Sequence, residues 1–357
     1  METKKNRWAN LELLRMLVMF YVVLAHLLGN AEHVERIGFG GAGYFAHWFV
    51  SGLCHAANPC FILISAFFMV ELPFRASRLL RLWLMVLFYT LFGTLAAHFV
   101  FHTPLDLNAL LYAFFPITRS AYWFTTQYFL LLAISPFLNK FIHSLSKKEL
   151  IWVIAVLGVL FSIIPTFLYW SQSYFSKGFD LHWLVLVYFL GAYIRLYGLD
   201  VPKGALWYLV SCVFLSLSRL VIGTLAFRFT GSPKGAGLFF LPTSPVFIFM
   251  GVCLFSAFQK LKVTKGTKLI NKISSCMIGV YLLHMQKYLD LRNRVGMAET
   301  QNAWTGILWA LLMGAVLYLL GIGVEAARKQ FARLYREKAL CRWLDEKTAK
   351  LLPAEQM

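Results

Sequence analysis

Charge is scarce along this chain: Asp, Glu, Lys and Arg make up 14% of its 357 residues, where a soluble domain of ordinary usage carries about 25%. That shortage excludes an ordinary water-soluble protein. Cysteine shows no usable pattern either. Cys54, Cys60, Cys212, Cys253, Cys276 and Cys341 are scattered, mostly inside apolar runs, with no CxxC pair and no histidine at zinc spacing. They read as small buried hydrophobes and imply no disulfide framework and no metal site. A cleavable leader is also missing, because the first apolar run is too long and no small-x-small site follows it; it is expected to stay as a span. No internal repeat is visible, which weighs against the inverted-repeat transporter folds.

What the chain has instead is apolar surface. It is 59% hydrophobic and 17% aromatic, with a mean hydropathy of +0.66, the composition of an integral membrane protein. Ten apolar segments are expected as spans, at 10–29, 48–70, 79–101, 122–142, 149–170, 181–198, 204–227, 238–258, 270–289 and 303–326. The net charge of +18 suggests nucleic acid at first sight, but the cations sit between spans. There they set topology and attract anionic head groups or anionic substrates. With the N-terminus in the cytoplasm, 24 of the 34 Lys and Arg fall on the cytoplasmic side and 8 outside, with Arg15 and Arg219 inside spans. The positive-inside rule requires that bias. The sequence therefore predicts an all-α integral membrane protein of ten transmembrane helices around a polar pore or chamber. Both termini are cytoplasmic, residues 1–326 form the membrane domain, and 327–357 form a basic amphipathic tail on the inner leaflet or extending the last helix. The outer connections near 30–47, 230–237 and 286–303 are where an extracytoplasmic substrate would be met; the first is rich in glycine (Gly38, Gly40, Gly41, Gly43) and should be mobile.

The first span carries the most informative pattern. Glu12, Arg15 and His26 sit in a run otherwise fit for hydrocarbon, where each ionisable group costs a few kcal/mol. Arg15 and His26 are eleven residues apart, which at roughly 100° per residue is within about 20° of whole turns and roughly 16 Å along the axis. One face of the helix therefore offers a cation near one membrane surface and an imidazole deep along the same stripe, a polar path through the protein. The plainer alternatives are a packing histidine, an arginine that snorkels to the interface, and a local Glu12–Arg15 pair.

Other residues add to this stripe. Arg75, Arg78 and Arg81 follow Pro73 at the start of the third span. Their spacing puts them on one side of its first turns, suited either to clamping phosphates or to anchoring the topology. The fourth span opens with Tyr122, Trp123, Phe124, Thr125, Thr126 and Gln127. Such aromatics usually form an interfacial belt, but an amide one turn further in needs partners. His284 matches His26 in depth, and Asn58, Pro59 and Ser65 add polar atoms at intermediate depth in the second span. Depth alone suggests an outer chamber lined by His26, His284 and Asn58.

In order along the chain, these features resemble the membrane-bound acyltransferase family 3. They are the arginine–ten residues–histidine spacing of Arg15 and His26, the second-span FILISAFF, the RASR from Arg75 to Arg78, the YWF…SPFLN block and the YLLH ending at His284. The resemblance extends from Leu11 to about Ala326 and is closest to bacterial proteins that O-acetylate cell-surface polysaccharide. It implies acyl transfer from cytosolic acyl-CoA, most simply acetyl-CoA as co-substrate, to a hydroxyl of an extracytoplasmic carbohydrate. That acceptor is a surface polysaccharide or its lipid-linked precursor, and the enzyme is a multi-pass protein of the bacterial inner membrane with no permanently bound cofactor. By the resemblance His26 deprotonates the acceptor, Arg15 holds the donor in the pore, and Arg75 and Arg78 meet the CoA phosphates. Asn58, Ser65, Trp123, Gln127 and His284 line the pore or the acceptor site. Many members have Ser-Gly where this chain has Ser65-Ala66, and some carry a glutamate in the block where this chain has Gln127.

Two other classes compete with this enzyme. A secondary transporter or exporter of a glycan or anionic small molecule would use the same arginines and histidines as a conduit, but predicts repeats and matched broken spans. A haem protein would face His26 across helices to His284, without any further feature of electron traffic.

Overall fold

The computed structural model describes residues 8–29, 34, 37–168, 180–233, 235–295 and 302–351, and among them none lies in a β-strand. Lys4, Lys5, Arg7, Arg36, Lys177 and Lys234, which enter the charge count above, lie outside the described residues. So do residues 30–33, 35 and 36 of the first outer connection, the end of the fifth expected span and residues 352–357.

In chain order the helices are α1 (Ala9–Leu28), α2 (Gly41–Cys54), α3 (Ala57–Met69), α4 (Ser77–Phe101), α5 (Leu107–Phe114), α6 (Trp123–Ser144) and α7 (Lys147–Phe167). They continue with α8 (Leu181–Tyr197), α9 (Gly204–Thr230), α10 (Pro245–Gln259), α11 (Thr267–Ser274) and α12 (Met277–His284). The last are α13 (Leu291–Arg294), α14 (Ala303–Leu334) and α15 (Glu337–Leu351). Among the described residues, α1, the α2–α3 pair, α4, α7, α9 and α14 are the six helical stretches long and apolar enough to cross a membrane. The other expected spans fall on α6, on the shorter α8 and α10, and on the α11–α12 pair.

Local chemistry explains many of the boundaries. Ser146 and Glu149 form a reciprocal capping box that starts α7, and the Asp106 and Asn302 side chains cap α5 and α14 by accepting from backbone N–H groups. Each satisfies donors that a helix start leaves without partners. Pro245 opens α10, where its missing N–H costs nothing. The break between α2 and α3 comes at His55–Ala56, two residues before Asn58 and Pro59, so polar side chains enter mid-way through an otherwise apolar stretch. A second break, at Ser275–Cys276, divides α11 from α12.

The bundle is centred on α1 and α3. Helix α1 packs against α2, α3, α10, α11, α12 and α14, and α3 packs against α8 and α10. Between apolar helices in a lipid setting, association depends on close backbone approach at small residues. Gly191 of α8 supplies one such contact, because a Cβ there would lie 2.7 Å from Ala66 Cβ and 3.0 Å from the Leu63 carbonyl oxygen. The small residue missing at Ala66 is thus found on the facing helix. The outward faces of α7, α9 and α14 expose Trp152, Val221, Phe229, Leu308 and Leu319, apolar surface of the extent that lipid covers.

The chain beyond 326 does not simply trail away. Helix α14 continues to Leu334, the backbone turns through Arg336 at φ 51°, and α15 folds back against α4.

Candidate functional site

The wall of the main cavity begins with α1. Arg15 and His26 both face a cavity of about 1330 Å³, as their shared helix face requires. The α1 N-terminal end opens among Arg81, Lys338 and Arg342; the far end reaches His26, Trp123 and Phe240. Between them the wall is mainly apolar, with Met19, Val22, Phe61 and Phe124, interrupted by Asn58, Ser65 and Tyr128. Polar groups therefore occur at the two ends and at a few points between them.

At the first of these points, Arg15 Nη1 donates to Glu12 Oε2 at 2.7 Å, one turn along α1. Glu12 is buried and also accepts from Ser274 Oγ at 2.5 Å. One edge of the guanidinium is thereby fixed, and its remaining donors are left for an anion or carbonyl in the cavity. The Glu12–Arg15 pair and the exposure of Arg15 to the cavity thus coexist.

His26 lies in the last turn of α1. Its Nδ1 is 3.0 Å from His284 Nε2 on α12, and His284 Nδ1 is 2.8 Å from the Val280 carbonyl oxygen. Such a chain fixes the protons. A carbonyl oxygen only accepts, so His284 Nδ1 carries its hydrogen; with neutral rings, His284 Nε2 then accepts from His26 Nδ1–H. The lone pair of His26 is left on Nε2. His284 is buried and sits behind His26 rather than on the cavity wall. Depth in the sequence sets the two histidines at one level, whereas the position of His284 behind His26 depends on the crossing of α1 and α12.

The other candidates separate into two places. Asn58, Ser65 and Trp123 are on the main wall, and Ser65 Oγ meets Tyr128 Oη at 3.1 Å. Gln127 is half-buried on α6 and is not on that wall. Arg75 and Arg78 lie at the start of α4 beside a second cavity of about 550 Å³, which adjoins the main one through Arg81, Lys338 and Arg342. Among the wall residues not singled out by sequence reasoning are His55, whose Nδ1 meets the Ser51 carbonyl at 2.7 Å, and Ser274, the partner of Glu12. His55 adjoins Asn58 and Pro59, so the polar break in the second span was the signal that could have found it. Among the described residues no group of His, Cys, Asp and Glu is arranged to hold a metal ion.

The arrangement can hold an extended, anionic-headed molecule, with cations at one end and an imidazole with an unshared nitrogen lone pair towards the other. A family model described as an acyltransferase domain matches residues 8–325, nearly the whole chain. No curated protein and no solved structure matches it.

Proposed function

Because the chain belongs to the membrane acyltransferase family 3, we propose that it is an O-acyltransferase that uses cytosolic acetyl-CoA and acylates a hydroxyl of an extracytoplasmic glycan. In this reading the α1 N-terminal end faces the bacterial cytoplasm, both termini are cytoplasmic, and ten helices cross the inner membrane. The charge bias of the connections supports that orientation. The observation that carries the reading is the single cavity in which Arg15 and His26 share a wall with the basic mouth.

The chemistry follows from those positions. The phosphates of the donor stay at the basic mouth by Arg75 and Arg78, and the pantetheine arm extends inward past Arg15. The thioester then lies near His26, in surroundings of low dielectric. Nε2 of His26 accepts the proton of the acceptor hydroxyl as the alkoxide oxygen attacks the thioester carbonyl and the C–O bond forms. The tetrahedral intermediate collapses with cleavage of the C–S bond, and the imidazolium returns the proton to the departing thiolate. His284 holds His26 in the required tautomer and stabilises the imidazolium, as an orienting group does for any general base. Asn58, Ser65 and Trp123 contribute polar and aromatic contacts to the acyl arm or the acceptor.

The test uses membrane vesicles carrying the protein, supplied on the cytoplasmic side with acetyl-CoA labelled in the acetyl group. Label in carbohydrate on the opposite side is expected, and its loss on His26→Ala. Movement of an intact glycan or anion across the vesicle wall with no acetyl transfer would instead select the transporter.

A further inference from the structure

Residues 326–351 lie beyond the family match yet are built into the mouth of the cavity. Three residues of α15, Glu337, Cys341 and Asp345, recur every four positions and so share one face. That face is docked. Glu337 accepts from Arg328 Nη1 at 3.3 Å and from Tyr335 Oη at 2.9 Å, and lies 3.5 Å from Arg81 Nε. Arg328 is itself buried and held by Glu325 through two hydrogen bonds of 2.8 and 2.9 Å. Glu325, fully buried, also accepts from Tyr89 Oη at 3.0 Å, under Gly279, where a Cβ would lie 2.6 Å from the Tyr89 hydroxyl. At the next turns, Cys341 is buried and Asp345 accepts from both the backbone N–H and the hydroxyl of Ser77, at 2.9 and 2.7 Å. The acids of α15 thus fix it to α14 and to the first turn of α4.

Lys338 and Arg342 each follow a docking residue by one position, so they occupy the adjacent face. Both line the second cavity, opposite Arg75, Arg78 and Arg81. Asp345 is the one acid on that wall, and both of its oxygens are engaged by Ser77. Five cations therefore converge from two elements on one concave space, and Lys338 and Arg342 also line the main cavity.

We propose that α15 supplies half of a polyphosphate-binding site at this mouth: Lys338 and Arg342 grip phosphate oxygens of the nucleotide end of the donor jointly with Arg75 and Arg78. This inference rests on the acyl-CoA reading above. Coenzyme A carries phosphates at two places on one ribose, and two banks of cations on opposite walls suit such a ligand better than a single bank does. Anionic lipid head groups present the same phosphate chemistry, so the test is made without them.

The full-length protein in nanodiscs of phosphatidylcholine alone is titrated with acetyl-CoA, with 3′-dephospho-acetyl-CoA and with S-acetylpantetheine. Replacing Lys338 and Arg342 together by Gln should raise the Kd for acetyl-CoA about tenfold, the scale of one part-exposed phosphate contact. The Kd for S-acetylpantetheine should not change, and the penalty for removing the 3′-phosphate should shrink. The conservative exchange Lys338→Arg with Arg342→Lys should retain most of the affinity, which also reports that α15 remains docked. If the Gln variant binds acetyl-CoA as the wild type does while Arg75→Ala with Arg78→Ala binds weakly, α15 has no part in the site and the donor reading stands. If the Gln variant matches the wild type in phosphatidylcholine and loses affinity only when the titration is repeated in nanodiscs containing phosphatidylglycerol, the phosphates belong to lipid and the proposal fails. If the wild type binds no acyl-CoA, the donor reading itself falls, and this inference falls with it.

Discussion

Replacing His284 by Phe tests the orienting role within the histidine pair while leaving His26, the donor mouth and the cavity wall in place. In the wild type the His26 Nδ1–H is directed at His284 Nε2 over 3.0 Å, and His284 is aligned by the Val280 carbonyl. A net hydrogen bond of this kind contributes about 1–1.5 kcal/mol, and stranding the donor in a buried site costs about 1–3 kcal/mol. With Phe at 284, that bias toward the tautomer with its lone pair on Nε2 is weakened, since the Val22 carbonyl one turn back is the hydrogen-bond partner left to the ring. At 1.36 kcal/mol per decade this amounts to roughly a 10–100-fold fall in kcat, with the KM for acetyl-CoA unchanged because no donor contact is lost. The loss of the base itself in His26→Ala should be larger, about 10²–10⁴-fold. His284→Gln, whose amide oxygen can accept from Nδ1–H, should recover activity to within about tenfold of wild type. The assay is steady-state acetyl transfer by purified protein, with donor affinity and thermal midpoint measured beside it. A His284→Phe protein that folds, binds donor and turns over at the wild-type kcat would refute the reasoning.

Further consequences can be measured directly. Glu325→Leu leaves the buried Arg328 guanidinium without the partner that binds it at two points, so stability should fall by about 3–5 kcal/mol, and adding Arg328→Met should recover most of it; thermal unfolding in detergent reads both. Gly191→Ala introduces a methyl 2.7 Å from Ala66 Cβ and should cost about 1–3 kcal/mol of stability, with Ala66→Gly in the same chain relieving it. Reporter fusions at the N-terminus and after residue 351 should both be accessible only from the cytoplasm. An outside location of either would overturn the orientation argued from the charged connections.

Much of the architecture is written in composition. Long apolar runs with few charges had to become helices buried in one another or in lipid, and α1, α4, α7, α9 and α14 lie where those runs lie. The breaks at His55–Ala56 and Ser275–Cys276 were not placed, although His55, Asn58 and Pro59 mark the one and Lys272, Ser274 and Ser275 the other, because polar residues within a span do not by themselves say whether the helix continues through them. Nor was the docking of α15. Its residues read as a basic amphipathic tail, and the partners of Glu337 and Asp345 include Arg81 and Ser77, far away in sequence. At the site, helical periodicity was enough to put Arg15 and His26 on one face, since that is a property of a single helix. The contact of His26 with His284 joins two helices at one height, and spacing along a chain does not encode it. Gln127 shows the converse: an amide inside an apolar run attracts attention in the sequence, yet it is half-buried on α6 and is not among the residues that line the cavity.

The most direct measurement compares wild type with His26→Ala, both purified in detergent, for binding of acetyl-CoA and for its slow hydrolysis when no acceptor is present. Equal binding in the two proteins, with turnover only in the wild type, is the predicted result. Turnover that survives in His26→Ala would remove His26 as the base, and failure of the wild type to bind any acyl-CoA would contradict the account at its root.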